Sequence, residues 1–470
     1  MRGFAAACGS DWRQTSLGTG RGIGLTAVRI AGGLSGLLVL GLFVSATAEA
    51  QAPEGAETYW HHWRGPNRNG VANTDAPTVF SATEHVKWKT AVPGRGFSSP
   101  VIWGNRIFLT TAIVDEAIAP AGRRRRGMAL APTKFVVLCY ARDTGALLWE
   151  RVAIETTPHE GYHRQLGSFA NGSPITDGEH LYVSFGSFGL YAYDFDGTLL
   201  WSRDFNVKME IFNRFGESSS PALHGHTLVL QFDHEGDDSF LVAVDTRTGE
   251  TLWRQDREED TSWSSPYIAE HRGRVQVITS AGSYIRSNDL ASGEEIWRSA
   301  GMTSHPIPTP VHGHGLVFTV SGVNERRIRV ISLDAVGDVT GTDAIKWQLD
   351  RAAPYNPSPL LWDNELYLVR DGGLRRGTSR FSAFEATTGR PHYLQTRLPS
   401  SYTVKASPVG AGDKIYLLTE EGDVIVVKRG PEYEVLAVNS MDEMFLASPA
   451  VVDGELFLRG LEHLFCISEE

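Results

Sequence analysis

The feature that most constrains the fold is a Ser/Thr-Pro pair that recurs eight times along most of the sequence. Each pair is followed by one or two apolar residues, a turn and a strand-like run of aromatic and aliphatic residues. Successive prolines are 74, 47, 45, 44, 49, 49 and 41 residues apart, so each copy has the length of one four-stranded unit. The pairs are Ser99-Pro100, Ser173-Pro174, Ser220-Pro221, Ser265-Pro266, Thr309-Pro310, Ser358-Pro359, Ser407-Pro408 and Ser448-Pro449.

The third copy shows the order of elements inside a repeat. A strand from Thr227 to Phe232 precedes a second from Phe240 to Asp245, followed by the turn Thr248-Gly249-Glu250 and then by Trp253. Alternating apolar, β-branched and aromatic residues predict strands, and Gly supplies the positive φ that a tight turn needs. The recurring tryptophans are expected to pack between neighbouring units because each has a large area to bury. They are Trp149, Trp201, Trp253, Trp297 and Trp347.

The eighth copy, from Ala447 to Ile467, stops before its fourth strand. A matching strand, Val86-Lys87-Trp88-Lys89, stands at the other end of the repeats. Pairing the two would close the units into a ring and remove the open sheet edges. The sequence therefore predicts an all-β fold, an eight-bladed β-propeller closed by its N-terminal strand.

These repeats resemble the pyrroloquinoline-quinone-like (PQQ-like) repeat family. The family signature Ala-x-Asp-x-x-Thr-Gly-x-x-x-Trp is matched best by Ala243 to Trp253, and the resemblance extends over residues 86 to 467. The stretch from Trp60 to Gly70 also resembles the lead-in of a secreted subgroup of these propellers. The resemblance implies the propeller fold, but the same fold serves both scaffolds and quinone enzymes, so it does not imply one function.

An apolar run from Ile30 to Val44 follows Arg21 and Arg29 and precedes Ala48-Glu49-Ala50. This order is typical of a signal peptide that is cut after Ala50, although a retained membrane anchor is the alternative. The expected domains are residues 1–50 as a signal peptide with a long n-region, 51–85 as a lead-in segment and 86–470 as the propeller. The expected location is periplasmic or secreted, with no stable membrane span after the signal is removed.

The chain has 44 basic and 55 acidic side chains, for a net charge of −11. A negative surface repels phosphate backbones, which argues against a nucleic-acid partner. Cys139 and Cys466 are the cysteines outside the predicted signal peptide. They fall on corresponding strands of blades one and eight and are interpreted as small buried thiols rather than as a disulfide.

Several motifs suggest metal chemistry, but a structural role explains each of them better. His159-Glu160-Gly161-Tyr162-His163 matches a zinc-protease pattern that requires a helix, and Pro158 and Gly161 favour a loop instead. His224-Gly225-His226 and His312-Gly313-His314 coincide with the first hairpin turn of their repeats, so they are expected to be solvated turn residues.

Two charged segments are further candidates for binding sites. The acidic run from Asp233 to Asp238 lacks the ligand spacing of a known Ca²⁺ loop. The basic run from Arg123 to Arg126 lies in an insertion of the first repeat and is interpreted as a surface loop, with docking to an acidic partner or to anionic lipid as the alternative.

Function is expected at one mouth of the central channel, where the residues just before each Ser/Thr-Pro pair converge. A cluster of aromatic and charged groups suits a small ligand, although the same groups could only cap the channel. The converging positions are Phe97, Asn171, Arg214, Glu217, Trp263, His305, Asn356 and Lys405. The predicted ligand-binding residues are Asn171, Arg214, Glu217, Trp263, Asn356 and Lys405, and neither a catalytic nor a metal residue is predicted.

Two functions remain open from the sequence. The first is an exported, non-catalytic scaffold that binds a protein or a small molecule and needs no cofactor. The alternative is a PQQ-dependent dehydrogenase, which would carry PQQ with calcium. The quinone enzymes of the family place an adjacent Cys-Cys pair against the quinone, and this sequence has no such pair. The scaffold is therefore preferred.

Overall fold

A computed structural model of the chain describes residues 55–115, 130–322, 325–372 and 376–469. The predicted signal peptide and the basic run from Arg123 to Arg126 lie outside these residues. Within the described part of the chain, no helix combines the length and the apolar character needed to cross a membrane.

The described residues form eight antiparallel sheets, each with the four strands expected for one propeller blade, which confirms the predicted fold. Blades one to four contain β2 (Val101–Trp103), β3 (Arg106–Val114), β4 (Thr133–Ala141) and β5 (Leu147–Thr156); β6 (Ile175–Thr176), β7 (His180–Ser184), β8 (Leu190–Asp194) and β9 (Leu199–Arg203); β10 (Ala222–His224), β11 (Thr227–Phe232), β12 (Phe240–Asp245) and β13 (Thr251–Asp256); β14 (Tyr267–His271), β15 (Arg274–Ser280), β16 (Tyr284–Asp289) and β17 (Glu295–Ala300).

Blades five to eight repeat this arrangement, and blade eight takes its outermost strand from the N-terminal side of the repeats. They contain β18 (Val311–Gly313), β19 (Leu316–Ser321), β20 (Arg327–Ser332) and β22 (Ile345–Leu349); β23 (Leu360–Trp362), β24 (Glu365–Arg370), β25 (Arg380–Glu385) and β26 (Pro391–Arg397); β27 (Val409–Ala411), β28 (Lys414–Leu418), β29 (Asp423–Lys428) and β30 (Val435–Ser440); β31 (Ala450–Val452), β32 (Glu455–Arg459), β33 (His463–Ile467) and β1 (Val86–Ala91). The sheet of blade four has a fifth, short strand, β21 (Gly337–Asp338), parallel to β17, and 3₁₀ turns lie at Gly186–Phe188 and Phe212–Arg214.

Strand β1 closes the ring by pairing antiparallel with β33, which puts Trp88 opposite Cys466 and Lys89 opposite Phe465. The ring thus joins the two ends of the repeats, and β33 is paired on both sides instead of forming an open edge. Cys139 of blade one lies opposite Trp149 in the same way that Cys466 lies opposite Trp88. Both thiols are buried and free, as predicted, because this position must be small enough to accept a tryptophan on the neighbouring strand.

The Ser and Thr residues of the repeated pairs form a closed ring of hydrogen bonds around the channel. In each blade the backbone N–H of this residue donates to the side-chain oxygen of its counterpart in the next blade, over 2.9 to 3.2 Å. The last bond runs from Ser448 N–H to the hydroxyl of Ser99, so the ring has no gap. This is the physical reason for the repeated hydroxyl residue, because the bond ties each innermost strand to the next and satisfies a buried backbone donor.

We expect Ser220→Ala to lower the free energy of unfolding by about 1 to 2 kcal/mol, because it leaves the buried N–H of Ser173 without an acceptor. Ser220→Thr is the matched control, since Thr309 makes the same bond in blade five. Urea unfolding of the chain and the two variants measures the effect. An Ala variant as stable as the Thr variant would show that the ring does not contribute to stability.

In five of the eight blades, a tryptophan of the outermost strand joins the blade to the following one. The indole N–H of Trp201, for example, donates to the backbone oxygen of Thr246 in the next blade at 2.9 Å. A Cβ at Gly249, where φ is +73°, would come within 2.6 Å of the Trp201 ring. The turn glycine is therefore needed both for its backbone angle and for the space that the indole takes. Trp88, Trp149, Trp253 and Trp347 make the equivalent hydrogen bond.

Trp297 of blade four differs because blade five carries no Thr-Gly turn at this point. Its indole N–H points to the side chain of Gln276 at 3.3 Å instead. The segment that replaces the turn adds β21 parallel to β17 and packs Ala335 and Val339 against the indole, which is fully buried. The packing role predicted for this tryptophan is thus kept with different partners.

The lead-in segment lies across the end of the channel where the innermost strands finish. The backbone oxygens of Trp60 and His61 accept hydrogen bonds from Ile102 of blade one and Thr176 of blade two. Arg68 donates to the backbone oxygen of Leu223 in blade three at 2.8 Å. The segment therefore contacts several blades at once and holds them in one arrangement.

Arg64 fixes the same segment to the opposite side of the ring. Its guanidinium donates to the backbone oxygens of Pro359 and Pro408, in blades six and seven, at 2.8 Å each. The side chain is 1% exposed, and burial lowers the pKa of Arg64 to about 9. A Cβ at Gly70 would lie within 2.3 Å of this guanidinium, so the glycine at that position makes room for it.

Candidate functional site

The mouth of the channel opposite the lead-in segment contains a cavity of about 200 Å³. This is below the ~300 to 1,000 Å³ that is usual for pockets of drug-sized ligands, so it suits a small molecule or one projecting side chain. We call it the channel-mouth cavity. Its apolar walls come from Phe97, Leu166, Phe215, Trp263, Ile307, Tyr355 and Leu446, and its polar side chains from His163, Asn171, Asn356 and Lys405.

Lys405 is held in this cavity by a buried ion pair. Its Nζ donates to Oδ2 of Asp371 at 2.7 Å and to Oδ1 of Asn356 at 3.1 Å. Asp371 is fully buried, and its Oδ1 accepts from the backbone N–H of Tyr355 at 2.6 Å. These two charge-assisted hydrogen bonds of the Lys405 ammonium fix Lys405 and Asn356 in position.

Asn171 and Trp263 occupy the other side of the channel-mouth cavity. The Asn171 amide nitrogen donates to the backbone oxygens of Ser168 and Glu217 at 2.9 Å each. The Trp263 indole N–H donates to the backbone oxygen of Gly216 at 2.7 Å, and its ring stacks on Phe215 at 6.4 Å between centroids. Both side chains are therefore oriented by their own hydrogen bonds and present a fixed surface to a ligand.

Glu217, also predicted for the mouth, turns away from the channel-mouth cavity into a smaller pocket between blades two and three. Its Oε2 accepts from the backbone N–H of Ser187 at 2.7 Å, which is possible because Gly186 has no Cβ to block the carboxylate. Burial raises the pKa of Glu217 to about 8. Glu160 lines the same pocket, and burial raises the pKa of this carboxyl to about 7.

Arg214 does not line either cavity. Asn213 and Arg214 both have positive φ values, of +52° and +56°, in a 3₁₀ turn that leaves the Arg214 side chain exposed. The arginine still influences the smaller pocket, since its charge lowers the pKa of Glu160. His305, which the sequence placed among the converging residues, stacks on Phe212 at 4.0 Å between ring centroids.

The histidine motifs have structural partners. Residues 159–163 form a loop, as predicted, in which His159 Nε2 lies 2.8 Å from the backbone oxygen of Met209. His312 differs from the solvated turn residue that the sequence suggested, because Tyr267 hydroxyl lies 2.9 Å from its Nδ1 and burial lowers its pKa to about 4. The charge of Arg68 in the lead-in segment adds to this lowering of the His312 pKa, which the repeat pattern alone did not indicate.

The acidic run after β11 is also engaged inside the protein. Asp233 is buried beside Arg257, with 3.4 Å between Oδ1 and Nε, and His234 Nε2 lies 3.1 Å from Asp238. Within the described residues, no group of three or more His, Cys, Asp and Glu side chains could hold a metal ion.

The fold and the geometry at the channel mouth define an eight-bladed propeller with an aromatic and polar cavity at one end of its axis. The chain belongs to the PQQ-like repeat family, since a family model described as outer membrane protein assembly factor BamB matches residues 133–284 and 281–431, well over half of the sequence.

Solved structures give the same fold at low identity. The quinohemoprotein alcohol dehydrogenase from Comamonas testosteroni is 12% identical, with a TM-score of 0.57 over 89% of this chain and 83% of that one. The quinohemoprotein alcohol dehydrogenase ADHIIG from Pseudomonas putida is 11% identical, with a TM-score of 0.55 over 87% and 80%. No curated protein matches the sequence. At these identities the similarity concerns the fold alone.

Proposed function

We propose that the protein is an exported, non-catalytic propeller that binds a partner protein or a small ligand in the channel-mouth cavity. The observation that carries this proposal is the cavity itself, in which rigid aromatic walls surround the oriented polar groups of Asn171, Asn356 and Lys405. Such a mixture of apolar surface and a few fixed polar groups is what recognition of a small group requires. The family description as an outer membrane protein assembly factor agrees with a scaffold outside the cytoplasm.

Export is part of the same proposal. The apolar run from Ile30 to Val44 and the Ala48-Glu49-Ala50 site support cleavage to a chain that begins at Gln51. We therefore place the protein in the periplasm or outside the cell, and below we call the chain from Gln51 onward the mature chain.

A PQQ-dependent dehydrogenase is the second candidate, because two alcohol dehydrogenases of that class share the fold. The residues at the mouth do not fit this cofactor. A calcium ion beside the quinone needs carboxylate oxygens, whereas none of the described residues that line the channel-mouth cavity is an Asp or a Glu. Glu217 points into the smaller pocket, and Asp371 is already bonded to Lys405.

We expect Trp263→Ala to weaken capture of the native ligand or partner by about ten-fold or more, since aromatic residues in a buried recognition site dominate binding energy. The measurement is quantitative mass spectrometry of molecules retained by the mature chain purified from its native host. Trp362→Ala, which removes a buried tryptophan from blade six outside the cavity, is the matched control and is expected to retain them.

The same preparations decide between the two candidate functions. Mature chain supplied with PQQ and Ca²⁺ is expected to reduce no dye with alcohol or sugar substrates. Quinone-dependent dye reduction that disappears in Glu217→Ala would overturn the scaffold proposal in favour of the enzyme. Equal retention of partners by Trp263→Ala and the unmodified chain would overturn the role of the channel-mouth cavity.

A further inference from the structure

The smaller pocket between blades two and three contains an unusual set of unsatisfied acceptors. We call it the acceptor pocket and define it by Glu160, Asn171, Glu217, Ser219 and Gln231, with walls of phenylalanine and Met209. Within the described residues, Oδ1 of Asn171, Oγ of Ser219 and Oε1 of Gln231 are buried and have no hydrogen-bond partner. Buried polar atoms are normally paired, so their convergence on one pocket requires a reason.

The orientation of the Asn171 and Gln231 side-chain amides follows from the hydrogen bonds that their nitrogens donate. Nδ2 of Asn171 donates to two backbone oxygens, and Nε2 of Gln231 donates to Oδ2 of Asp233 at 2.6 Å and to the hydroxyl of Ser262 at 3.2 Å. Reversing either amide would place an oxygen against these acceptors. Both free atoms are therefore acceptors, which can only be satisfied by a molecule that brings donors. Gln231 is 4% exposed, so bulk water does not satisfy its oxygen.

The charges around the acceptor pocket favour a cation. Glu217 and Glu160 both line it, and burial raises the pKa of both carboxyls well above the ordinary value. The charge of Glu160 raises the pKa of Glu217 further. The other charged groups that act on this pair are Arg214, which lowers the pKa of Glu160, and Glu210, which raises it. The nearby carboxylate of Asp233 is already paired with Arg257.

The size and the walls of the pocket restrict the cation further. The pocket leaves about 30 Å³ for the centre of a water-sized group, which is more than the ~10 to 15 Å³ that one buried water needs on this measure. An ammonium group fits this space and carries three donors on a tetrahedral nitrogen, whereas a water carries two. Aromatic faces such as those of Phe185 and Phe232 attract an organic ammonium. A hydrated divalent ion needs six or more oxygens and gains nothing from these apolar walls.

We propose that the acceptor pocket binds a primary ammonium group, supplied by a small alkylamine or by a lysine side chain of a partner. Its N–H donors meet Oδ1 of Asn171, Oε1 of Gln231 and the carboxylate of Glu217, and its carbon atoms face the phenylalanine rings. The acceptor pocket and the channel-mouth cavity share Asn171, Gly216 and Ser218, so the rest of the ligand continues toward the channel mouth. This inference rests on the proposed function and specifies the chemistry of the ligand.

The test is saturation-transfer NMR of the mature chain with methylammonium, which fits the pocket without reaching the larger cavity. Binding requires ionised Glu217, so the affinity is expected to rise roughly ten-fold from pH 6.5 to pH 8 and then to level off. Glu217→Gln is expected to lower the affinity for methylammonium about ten-fold at pH 8 and to abolish the pH dependence of binding. Glu250→Gln, which removes an exposed carboxylate of blade three outside the acceptor pocket, is the matched control and should change neither the affinity nor its pH dependence.

Methanol and Ca²⁺ are the alternative probes, and Glu160→Gln is the second variant if Glu217→Gln does not fold. Three results would each overturn the proposal. Methanol could bind as tightly as methylammonium, or millimolar Ca²⁺ could displace methylammonium. Methylammonium could also fail to bind at all, which would mean that the pocket holds water only. Capped lysine amide distinguishes the sources: tighter binding than methylammonium indicates a partner's lysine, and weaker binding indicates a free small amine.

Failure of this inference is distinguishable from failure of the proposed function. Trp263 lies outside the acceptor pocket, so Trp263→Ala is expected to leave methylammonium binding unchanged. If methylammonium binds but Trp263→Ala retains its partners, the ammonium site stands and the role of the channel-mouth cavity fails. If methylammonium does not bind but Trp263→Ala loses its partners, the channel-mouth cavity keeps its role and the ammonium site fails.

Discussion

A mature chain that lacks residues 51–90 is expected not to fold into a cooperative monomer. The deletion removes β1, so β33 loses its partner and blade eight presents an open edge. It also removes Trp60 and Trp88, which are both buried. Losing a buried tryptophan costs about 3 to 5 kcal/mol, and two such losses are comparable with the ~5 to 15 kcal/mol that stabilises a whole domain.

Size-exclusion chromatography and thermal unfolding of the truncated and the mature chains measure this effect. The truncated chain should aggregate, and a synthetic peptide of residues 55–91 added in trans should restore part of the monomer, because it carries both β1 and the lead-in segment. Melting of the truncated chain at the temperature of the mature chain would refute closure by β1. A second truncation that removes only residues 51–54 is the control and should melt normally, since the contacts described for the lead-in segment begin after these residues.

Glu217→Gln is expected to stabilise the free protein at alkaline pH. The pKa of Glu217 is raised in the folded state to about 8 from an ordinary value near 4.5, so the folded state holds a proton that the unfolded state releases. The stability from this group is therefore complete below pH 4.5 and is lost as the pH rises through 8. Gln keeps an acceptor for the N–H of Ser187 and never ionises, so it avoids the loss.

Glu217→Gln is expected to raise the free energy of unfolding by about 3 kcal/mol at pH 9 and by close to zero at pH 4.5. The value at pH 9 is smaller than the full pKa difference would give, because Glu217 is only partly buried. Urea unfolding of both chains at the two pH values measures it. Glu210→Gln is expected to change the free energy of unfolding by less than about 0.5 kcal/mol at either pH, as exposed substitutions do. If the stabilisation by Glu217→Gln is no larger at pH 9 than at pH 4.5, the pKa of Glu217 is not raised in the folded protein.

The two predictions concern opposite ends of the same channel. The lead-in segment covers one end of the channel and β1 completes blade eight, and both stabilise the fold. Glu217 and Glu160 at the other end destabilise it, because burial of ionisable groups lowers the free energy of unfolding at neutral and alkaline pH. Sites that cost stability and hold unsatisfied atoms are more often kept for binding than for folding, which agrees with the proposed ammonium site.

The sequence by itself determined the ring. The repeated Ser/Thr-Pro pairs, the turn glycines and the tryptophans are local patterns with a fixed spacing, so they predicted the blades, their number and the closing strand. The pairing of the N-terminal strand with the eighth repeat also followed from the pattern, because that repeat lacks the strand that Val86 to Lys89 resembles. The burial of Cys139 and Cys466 as free thiols was also predicted, since the repeat places a small residue at this position.

Only the tertiary structure decided what the two ends of the channel contain. Arg64 and Arg68 looked like ordinary charged residues of a lead-in, and their backbone acceptors in other blades are up to 344 residues away. Glu217 and Asn171 were predicted to share one mouth, but the direction of each side chain depends on Gly186 and on backbone oxygens of other segments. Repeats specify which strands pair, whereas the orientation of a side chain at a mouth depends on non-repeating loops from several blades, and no local pattern encodes their contacts.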